Sequence, residues 1–325
     1  SLFAKLNAAK YLSKIDLSKG YWQVPMADAD KPKTAFTTSQ GQFQFTVMPF
    51  GLKTAGAIFS RMMRTLLAPL QMEEVDNFMD DILVATETKE RHLECLAALF
   101  NRLRAANLSA RPSKYFLGFK EIEYLGYVVG NNRITVEKQK MEKIANVARP
   151  ETKKQVRAFL GLVGFYRRFV PHFAEIALPL TDLTKGSNPQ KVKWDEHCER
   201  AFQTLKGQLT SQPVCCLPDL ALPFVLRTDA SDVGLGAVLL QDQGFGLQPI
   251  SFASKKLQSA EKNYATIEKE CLAILWAVKK FSQYVMGRKF TIQCDHQPLL
   301  HLSRIKQTNP RLLRWALQLQ PYNFQ

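Results

Sequence analysis

The chain has 325 residues, 46% of them hydrophobic and 22% charged, a balance that excludes a disordered chain and suits two or three domains. Lys and Arg exceed Asp and Glu by 15, for a pI near 9.5. No apolar run reaches the ~18 residues of a membrane helix.

In chain order, Tyr11–Asp16, Thr34–Thr38 and Phe43–Val47 read as strands. A helix is expected from about Thr54 to Ala68, with Phe59, Met62, Met63, Leu66 and Leu67 on its apolar side and Pro69 ending it. Val75–Phe78 and Ile82–Ala85 read as strands joined by a tight acidic turn. Lys89–Ala106 keeps helical spacing through Leu93, Leu96, Ala97, Phe100 and Leu103. Pro150 marks a boundary, after which Lys153–Phe169 reads as a basic helix with an aromatic side, and a further helix runs near Cys198–Leu209. Beyond Pro213 come strands Phe224–Thr228, Gly236–Gln241 and Gln248–Ser254. A long helix follows at Ala260–Tyr284, then strand Lys289–Cys294, helix Pro310–Leu319 and the start of a strand at Tyr322–Gln325. This order predicts an α/β (α+β) fold. It divides into residues 1–130, a basic region 131–210 and a third unit 211–325.

The charge is uneven. Residues 1–130 carry 16 basic against 13 acidic groups, residues 131–210 carry 15 against 8, and residues 211–325 carry 13 against 8. A field that peaks in the middle calls for a polyanionic partner, with solubility alone as the bland alternative. The six cysteines form no CxxC and do not pair with His at zinc spacing, which fits a reducing, intracellular setting.

The densest chemistry is Phe78-Met79-Asp80-Asp81. Two adjacent carboxylates at a hairpin tip make either a solvated acidic turn or a ligand pair for Mg²⁺, which takes carboxylate oxygens together with substrate phosphates. Asp16, ending the first strand, is the candidate third carboxylate of a two-metal site.

Five blocks then follow in order: Tyr11 to Gln23 (YLSKIDLSKGYWQ), Lys33-Thr34-Ala35-Phe36, Met48-Pro49-Phe50-Gly51-Leu52, Phe78 to Leu83 (FMDDIL) and Tyr124-Leu125-Gly126. Together they resemble the reverse transcriptases of gypsy-like LTR retrotransposons, relatives of retroviral polymerases, and the resemblance continues through Leu160–Phe169 to the C-terminus. It implies a polymerase palm in residues 1–130, a helical thumb or connection in 131–210 and a ribonuclease H-like domain in 211–325. Asp16, Asp80 and Asp81 would hold two Mg²⁺, with Mn²⁺ as the alternative metal. Tyr21 would lie under the incoming deoxynucleoside triphosphate and exclude a 2′-hydroxyl, with Phe50 and Gly51 lining that pocket; ordinary core aromatics are the competing reading of Tyr21 and Phe50. Tyr124 and Gly126 belong to a segment that would position the primer end. Lys153, Lys154, Arg157, Arg167 and Arg168 would neutralise the phosphates of an RNA template, a DNA primer or their hybrid.

In the third unit, Asp229 ends one strand, Asp295 follows another, and both Glu268 and Glu270 have apolar neighbours on the long helix. Periodicity does not choose between the two glutamates. The resemblance does: Thr228-Asp229-Ala230-Ser231, Glu268 to Ala273 (EKECLA) and Cys294 to Leu299 (CDHQPL) are similar to the ribonuclease H domain of the same family. There Asp229, Glu270 and Asp295 would hold two Mg²⁺ for cutting RNA in an RNA–DNA hybrid. The resemblance also implies that fingers strands precede residue 1 and that a fourth carboxylate follows residue 325, so weak polymerisation is expected of this segment by itself. Ala55-Gly56-Ala57 departs from the family by having Gly where Pro is usual. The competing functional reading is a truncated or domesticated copy that binds nucleic acid or a partner protein without catalysis. An intracellular setting is expected, with the resemblance leaving a cytoplasmic particle and the nucleus both open, and the lack of a long apolar run predicts no membrane span.

Overall fold

The computed structural model describes residues 6–70, 74–186, 188–295 and 310–325. The chain forms two compact units, residues 2–124 with 129–132, and residues 125–128 with 133–325.

The first unit is built on a four-stranded sheet in the order β4-β5-β1-β6: β1 (Tyr11–Asp16), β4 (Val75–Phe78), β5 (Asp81–Thr86) and β6 (Phe116–Phe119). β1 pairs antiparallel with β5 from Tyr11↔Thr86 to Asp16↔Asp81. Ile15 and Ile82, opposite each other and fully buried, anchor that register. A one-residue slip would send both to the wrong face. Helix α1 (Ala55–Leu67) buries Phe59, Met63 and Leu67 on this sheet at i, i+4 and i+8, and α2 (Lys89–Ala105) buries Leu96, Leu99 and Leu103. Full burial of each such side chain stabilises the fold by about 1.5–3 kcal/mol. The α2 start is fixed by Thr88, whose side chain accepts from Arg91 N–H.

Outside the sheet, the expected strand Thr34–Thr38 shortens to β2 (Phe36–Thr38), and its partner is β3 (Gly41–Phe43), which meets the expected strand Phe43–Val47 only at Phe43; the two form an exposed ribbon. Lys31–Thr34 is a 3₁₀ turn, set by Pro32 in its first turn, and Val47 makes only a single bridge to Pro25. Strands β7 (Glu121–Tyr124) and β8 (Tyr127–Gly130) were not expected; their four-residue runs are too short to carry a period.

The second unit has a helical stretch after β9 and ends in a five-stranded mixed sheet. Helix α3 (Lys138–Ala145) packs against α7 (Glu196–Thr210), and α4 (Lys153–Phe165) packs against α7 and α6 (Leu178–Leu183). Thr152 and Gln155 form a reciprocal capping box that starts α4 where Pro150 was expected to break the chain. β9 (Arg133–Val136) pairs with β10 (Val214–Cys216). The sheet runs β13-β12-β11-β14-β15, with β11 (Phe224–Ala230), β12 (Gly234–Asp242), β13 (Leu247–Lys256), β14 (Lys289–Gln293) and β15 (Asn323–Phe324). β11 to β13 are antiparallel, whereas β11–β14 and β14–β15 are parallel.

The long helix expected at 260–284 is three helices: α8 (Ser259–Lys262), α9 (Thr266–Lys280) and α10 (Ser282–Val285). α9 covers β11 and shares a core of Leu226, Ile274, Val278 and Phe290 with Leu312 and Trp315 of α11 (Pro310–Leu319). The short α5 (Phe173–Ile176) lies on β13.

Two glycines of the first unit test its close approaches. Gly130 has φ +146°, and a Cβ there would meet Lys120 O at 2.2 Å and Glu121 Cα at 2.7 Å. Gly118 has φ +71° with open space around it. Gly130→Ala is therefore expected to cost about 2–4 kcal/mol through both overlap and strain, and Gly118→Ala about 1–2 kcal/mol through strain alone. Urea unfolding of the two variants checks the difference, and equal losses would refute it.

Candidate active sites and nucleic-acid interface

The β4–β5 hairpin closes between paired Phe78 and Asp81, so Met79 and Asp80 form a two-residue loop. Met79 has φ +54° and is the only one of the two in the left-handed region, the mark of a type II′-like turn. This turn lifts Asp80 to the tip while Asp81 stays in the sheet opposite Asp16. The Asp80 carbonyl accepts from Leu17 N–H at 3.0 Å, which ties the tip to the end of β1. Gly20 lies against it: a Cβ there would come 3.3 Å from Asp80 Cβ and 3.7 Å from Asp80 Oδ2.

The three acids share one electrostatic neighbourhood. Burial pushes the Asp81 carboxyl above the ordinary carboxylate range, and Asp80 and Asp16 push it further, while Lys14 and Lys114 oppose them. Lys114 Nζ donates to Asp16 Oδ2 at 3.0 Å, and Lys14 Nζ sits 3.8 Å from Asp81 Oδ1. Gly20, Lys14 and Lys114 adjoin the three acids, contacts that sequence reasoning did not assign. Lys114 is 98 residues from Asp16, and nothing in local spacing relates them.

Among the described residues, no three His, Cys, Asp or Glu side chains converge closely enough to hold a cation. The chemistry of the palm set nonetheless fits a divalent ion: it is all carboxylate, partly exposed, and opens on the cradle left by Gly20.

A buried relay holds the two carboxylate strands together. Thr86 Oγ1 donates to Thr88 O at 3.2 Å and so accepts from His92 Nδ1–H at 2.9 Å. Gly118 N–H donates to Ser13 Oγ at 2.9 Å, leaving the Ser13 hydroxyl to donate to His92 Nε2 at 2.6 Å. The network assigns a neutral imidazole protonated at Nδ1. It joins β6, β1, α2 and β5, with Ser13, Thr86 and His92 all buried.

Tyr21 is half-buried between Phe50 (ring centres 5.5 Å apart) and Phe59 (5.3 Å), and its hydroxyl points to Met79 Sδ at 3.9 Å. Phe50 is 66% exposed, and Gly51 follows it with φ +94°. The hydroxyl of Tyr21 is also 3.4 Å from where a Gly56 Cβ would lie, an ordinary contact that leaves room for a side chain.

Two expected nucleic-acid contacts are corrected. Tyr124 is fully buried in the first unit, its hydroxyl beside the Phe78 backbone and near Asp76 and Asp81, so it has no surface to offer a duplex. Lys153 is 3% exposed and its Nζ donates to Gly186 O at 3.2 Å. Gly126 is held by the end of α4: Tyr166 Oη donates to Gly126 O at 2.9 Å, and Tyr127 stacks on Phe165 at 5.2 Å. Lys154 and Arg167 are exposed, and Arg157 is exposed but donates to Thr184 O at 3.0 Å. Arg168 donates to Ile250 O at 3.1 Å and lies 5.9 Å from the rings of Tyr127 and Phe169.

In the second unit, Asp229 is exposed on β11 opposite Gly236, in a recess shared with His172 and Arg227. Glu270 is 4% exposed in α9. Asp295 is exposed just past β14; Glu270 and Asp295 both face Cys294, and each raises its thiol pKa beyond the effect of burial. Residues 296–299 of that motif lie outside the described residues. The two glutamates that periodicity did not separate differ in geometry: Glu268 accepts from Ala265 N–H at 3.1 Å and pairs with Arg311 at 3.0 Å, a helix-capping role.

Fold and carboxylate placement define a class, a polymerase palm followed by a ribonuclease H-like domain. Residues 1–129 match the family described as reverse transcriptase (RNA-dependent DNA polymerase), and residues 219–322 match the RNase H-like domain found in reverse transcriptase. The chain is 40% identical over 323 residues to the retrovirus-related Pol polyprotein from transposon 297 of Drosophila melanogaster, covering 99% of this chain and 30% of that protein. It is 34% identical to that from transposon gypsy of the same organism, covering 99% and 32%. The Tf2-3 polyprotein of Schizosaccharomyces pombe is 31% identical, with 100% and 24% covered. The chain thus spans about a third or less of the length of these relatives. Among solved structures, the foamy viral protease-reverse transcriptase in complex with dsDNA superposes with TM-score 0.86 at 26% identity, covering all of this chain and 69% of that one. The same viral protein in complex with RNA/DNA hybrid gives 0.84 at 26%, with 100% and 44% covered. The chain is therefore homologous to the Pol polyproteins of LTR retrotransposons and carries their reverse transcriptase and RNase H-like domains. Among the described residues, no helix is long and apolar enough to cross a membrane.

An aspartate whose folded pKa is raised costs stability while ionised, a cost that appears as pH rises through that pKa. Asp81→Asn is expected to raise the urea midpoint at pH 7.5, and a lower midpoint would refute the burial argument. Burial holds the His92 pKa below its ordinary 6.5, so the unfolded chain takes up a proton that the folded chain resists. Stability therefore declines as pH falls below about 6.5, and His92→Gln is expected to flatten that decline between pH 7.5 and 5.5. Parallel curves for variant and parent would assign the decline to other groups.

Proposed function

We propose that this segment is the polymerising and hybrid-cleaving part of the Pol polyprotein of a gypsy-like LTR retrotransposon. The observation that carries the reading is the carboxylate geometry of the palm: Asp81 paired opposite Asp16, with Asp80 lifted beside them on the Met79 turn and seated against Gly20. Asp16, Asp80 and Asp81 would hold two Mg²⁺ there, and Asp229, Glu270 and Asp295 the pair in the second unit. Bound divalent ions supply charge neutralisation on the reacting phosphate and activate the attacking 3′-hydroxyl or water.

The chain's own residues do the rest. Tyr21, wedged between Phe50 and Phe59, presents a fixed aromatic wall to the sugar of a deoxynucleoside triphosphate. Lys14 and Lys114 oppose the burial and the neighbouring carboxylates that raise the Asp81 carboxyl, and Lys114 also donates to Asp16. Lys154, Arg157 and Arg167, on and after α4, offer charge to the backbone of an RNA template, a DNA primer or their hybrid without reading its sequence. Residues 131–210 serve as thumb or connection in this reading, and residues 1–130 and 211–325 as the two catalytic parts. The setting is intracellular.

A second reading has its own support. Lysines, not a closed ligand cluster, face Asp16 and Asp81, which suits a copy that binds hybrid without catalysis.

Primer extension on an RNA template, with deoxynucleoside triphosphates and Mg²⁺, tests the first reading in the Pol protein that contains this segment. Asp80→Asn should lower the rate by more than about 100-fold, and Asp229→Asn should remove hybrid cleavage while sparing extension. Hybrid binding that survives EDTA and all these variants, with no product in Mg²⁺ or Mn²⁺, would establish the binder instead.

A further inference from the structure

The second unit carries a cationic recess that the polymerase and nuclease sites do not use. Arg167 and Arg168 leave α4 on a 3₁₀ turn that packs on β13, the edge strand of the five-stranded sheet. With Lys255 and Ser254 of β13, and Trp276 and Lys280 of α9, they line a recess of about 290 Å³.

Four cations from three separate elements face this space, and among the described residues no carboxylate lines it. Two are already engaged. Arg168 donates to Ile250 O, and Lys255 pairs with Glu261 at 2.6 Å. Those bonds fix the far wall. Arg167 and Lys280 are exposed, and among the described residues their side chains make no hydrogen bond or ion pair. Like charges gathered round a concavity repel each other and concentrate an anion there. The volume admits a phosphodiester with its sugar, and half-buried Trp276 adds a flat apolar wall for that sugar. Ser254 Oγ accepts from Ala174 N–H at 2.7 Å, which leaves its own hydrogen for an incoming oxygen.

We propose that this recess is a phosphate-contact site for the backbone of bound RNA–DNA hybrid, set by Arg167 and Lys280 with Arg168 and Lys255 behind them. The assignment rests on the nucleic-acid reading above and adds to it a surface that joins the α4 turn to the ribonuclease H-like sheet.

Anisotropy titration of the chain with a short labelled RNA–DNA hybrid, in EDTA and over a range of salt, tests it. Each phosphate neutralised contributes about 0.9 to the slope of log K against log salt. The variant Arg167→Gln/Lys280→Gln is therefore expected to lower the slope by about 2 and to weaken binding roughly 10- to 100-fold at low salt. Arg167→Lys/Lys280→Arg should restore both. Lys262→Gln/Lys289→Gln removes two exposed charges elsewhere on the same unit and should leave the slope nearly unchanged. Equal losses from the two Gln pairs would mean that net charge alone acts, and would overturn the recess. An unchanged slope in the first pair would overturn the recess and leave the parent reading standing. Failure of the unmodified chain to bind hybrid at any salt would remove both.

Discussion

Much of the first unit can be understood as the answer to one unfavourable pairing. Asp16 and Asp81 stand opposite each other on neighbouring antiparallel strands, where side chains lie about 4.5–5.5 Å apart and like charges destabilise the pair. The strands accept this because the adjacent rung, Ile15 against Ile82, is fully buried and sets the register from within. Lys114 and Lys14 bring positive charge to the exposed side. The His92 relay closes the other end of the same strands with hydrogen bonds instead of charges. Apolar register, paired charge and a neutral buried network thus act on one strand pair from three directions.

The second unit solves a different problem, a carboxylate inside a helix core. Glu270 is 4% exposed, whereas Glu268 two residues earlier caps the helix and meets Arg311. Two glutamates of equal sequence context therefore have unlike surroundings, one polar and shared with the helix end, the other walled by Cys271 and Cys294, whose thiols it pushes up. Burying a carboxylate carries a desolvation cost that its surroundings must offset.

The sequence made the elements with strong periods legible. β1, the β4–β5 hairpin, α1, α2 and the strands β11, β12, β13 and β14 all lie close to their expected bounds, whereas the helix expected at 260–284 is broken into three. Short pieces escaped: β7 to β10 hold three or four residues each, and α5 and α6 six at most, below the length at which spacing carries information. Among site residues, the aspartates were visible because they sit at strand ends within ordered motifs. Gly20, Lys14 and Lys114 were not, since a contact made across the fold leaves no trace in local spacing. Tyr124 and Lys153 misled for a related reason. Residue type predicts what a side chain can bind, but burial decides whether it is offered, and Lys153 spends its charge on the carbonyl of Gly186.

The bonds from the turn after α4 to the sheet bear on how the second unit comes apart. Arg168 reaches Ile250, Ala174 N–H reaches Ser254, and Lys256 reaches Asp182 at 2.8 Å. Each joins the helical stretch to the ribonuclease H-like sheet across the stretch near residue 211 that lies between them in sequence. Separating the two would uncover β13, take its N–H donor from half-buried Ser254 and take its carbonyl acceptor from Arg168. The helices and the sheet should then melt as one cooperative block, and a nuclease fragment trimmed near residue 211 would inherit a raw, aggregation-prone edge strand.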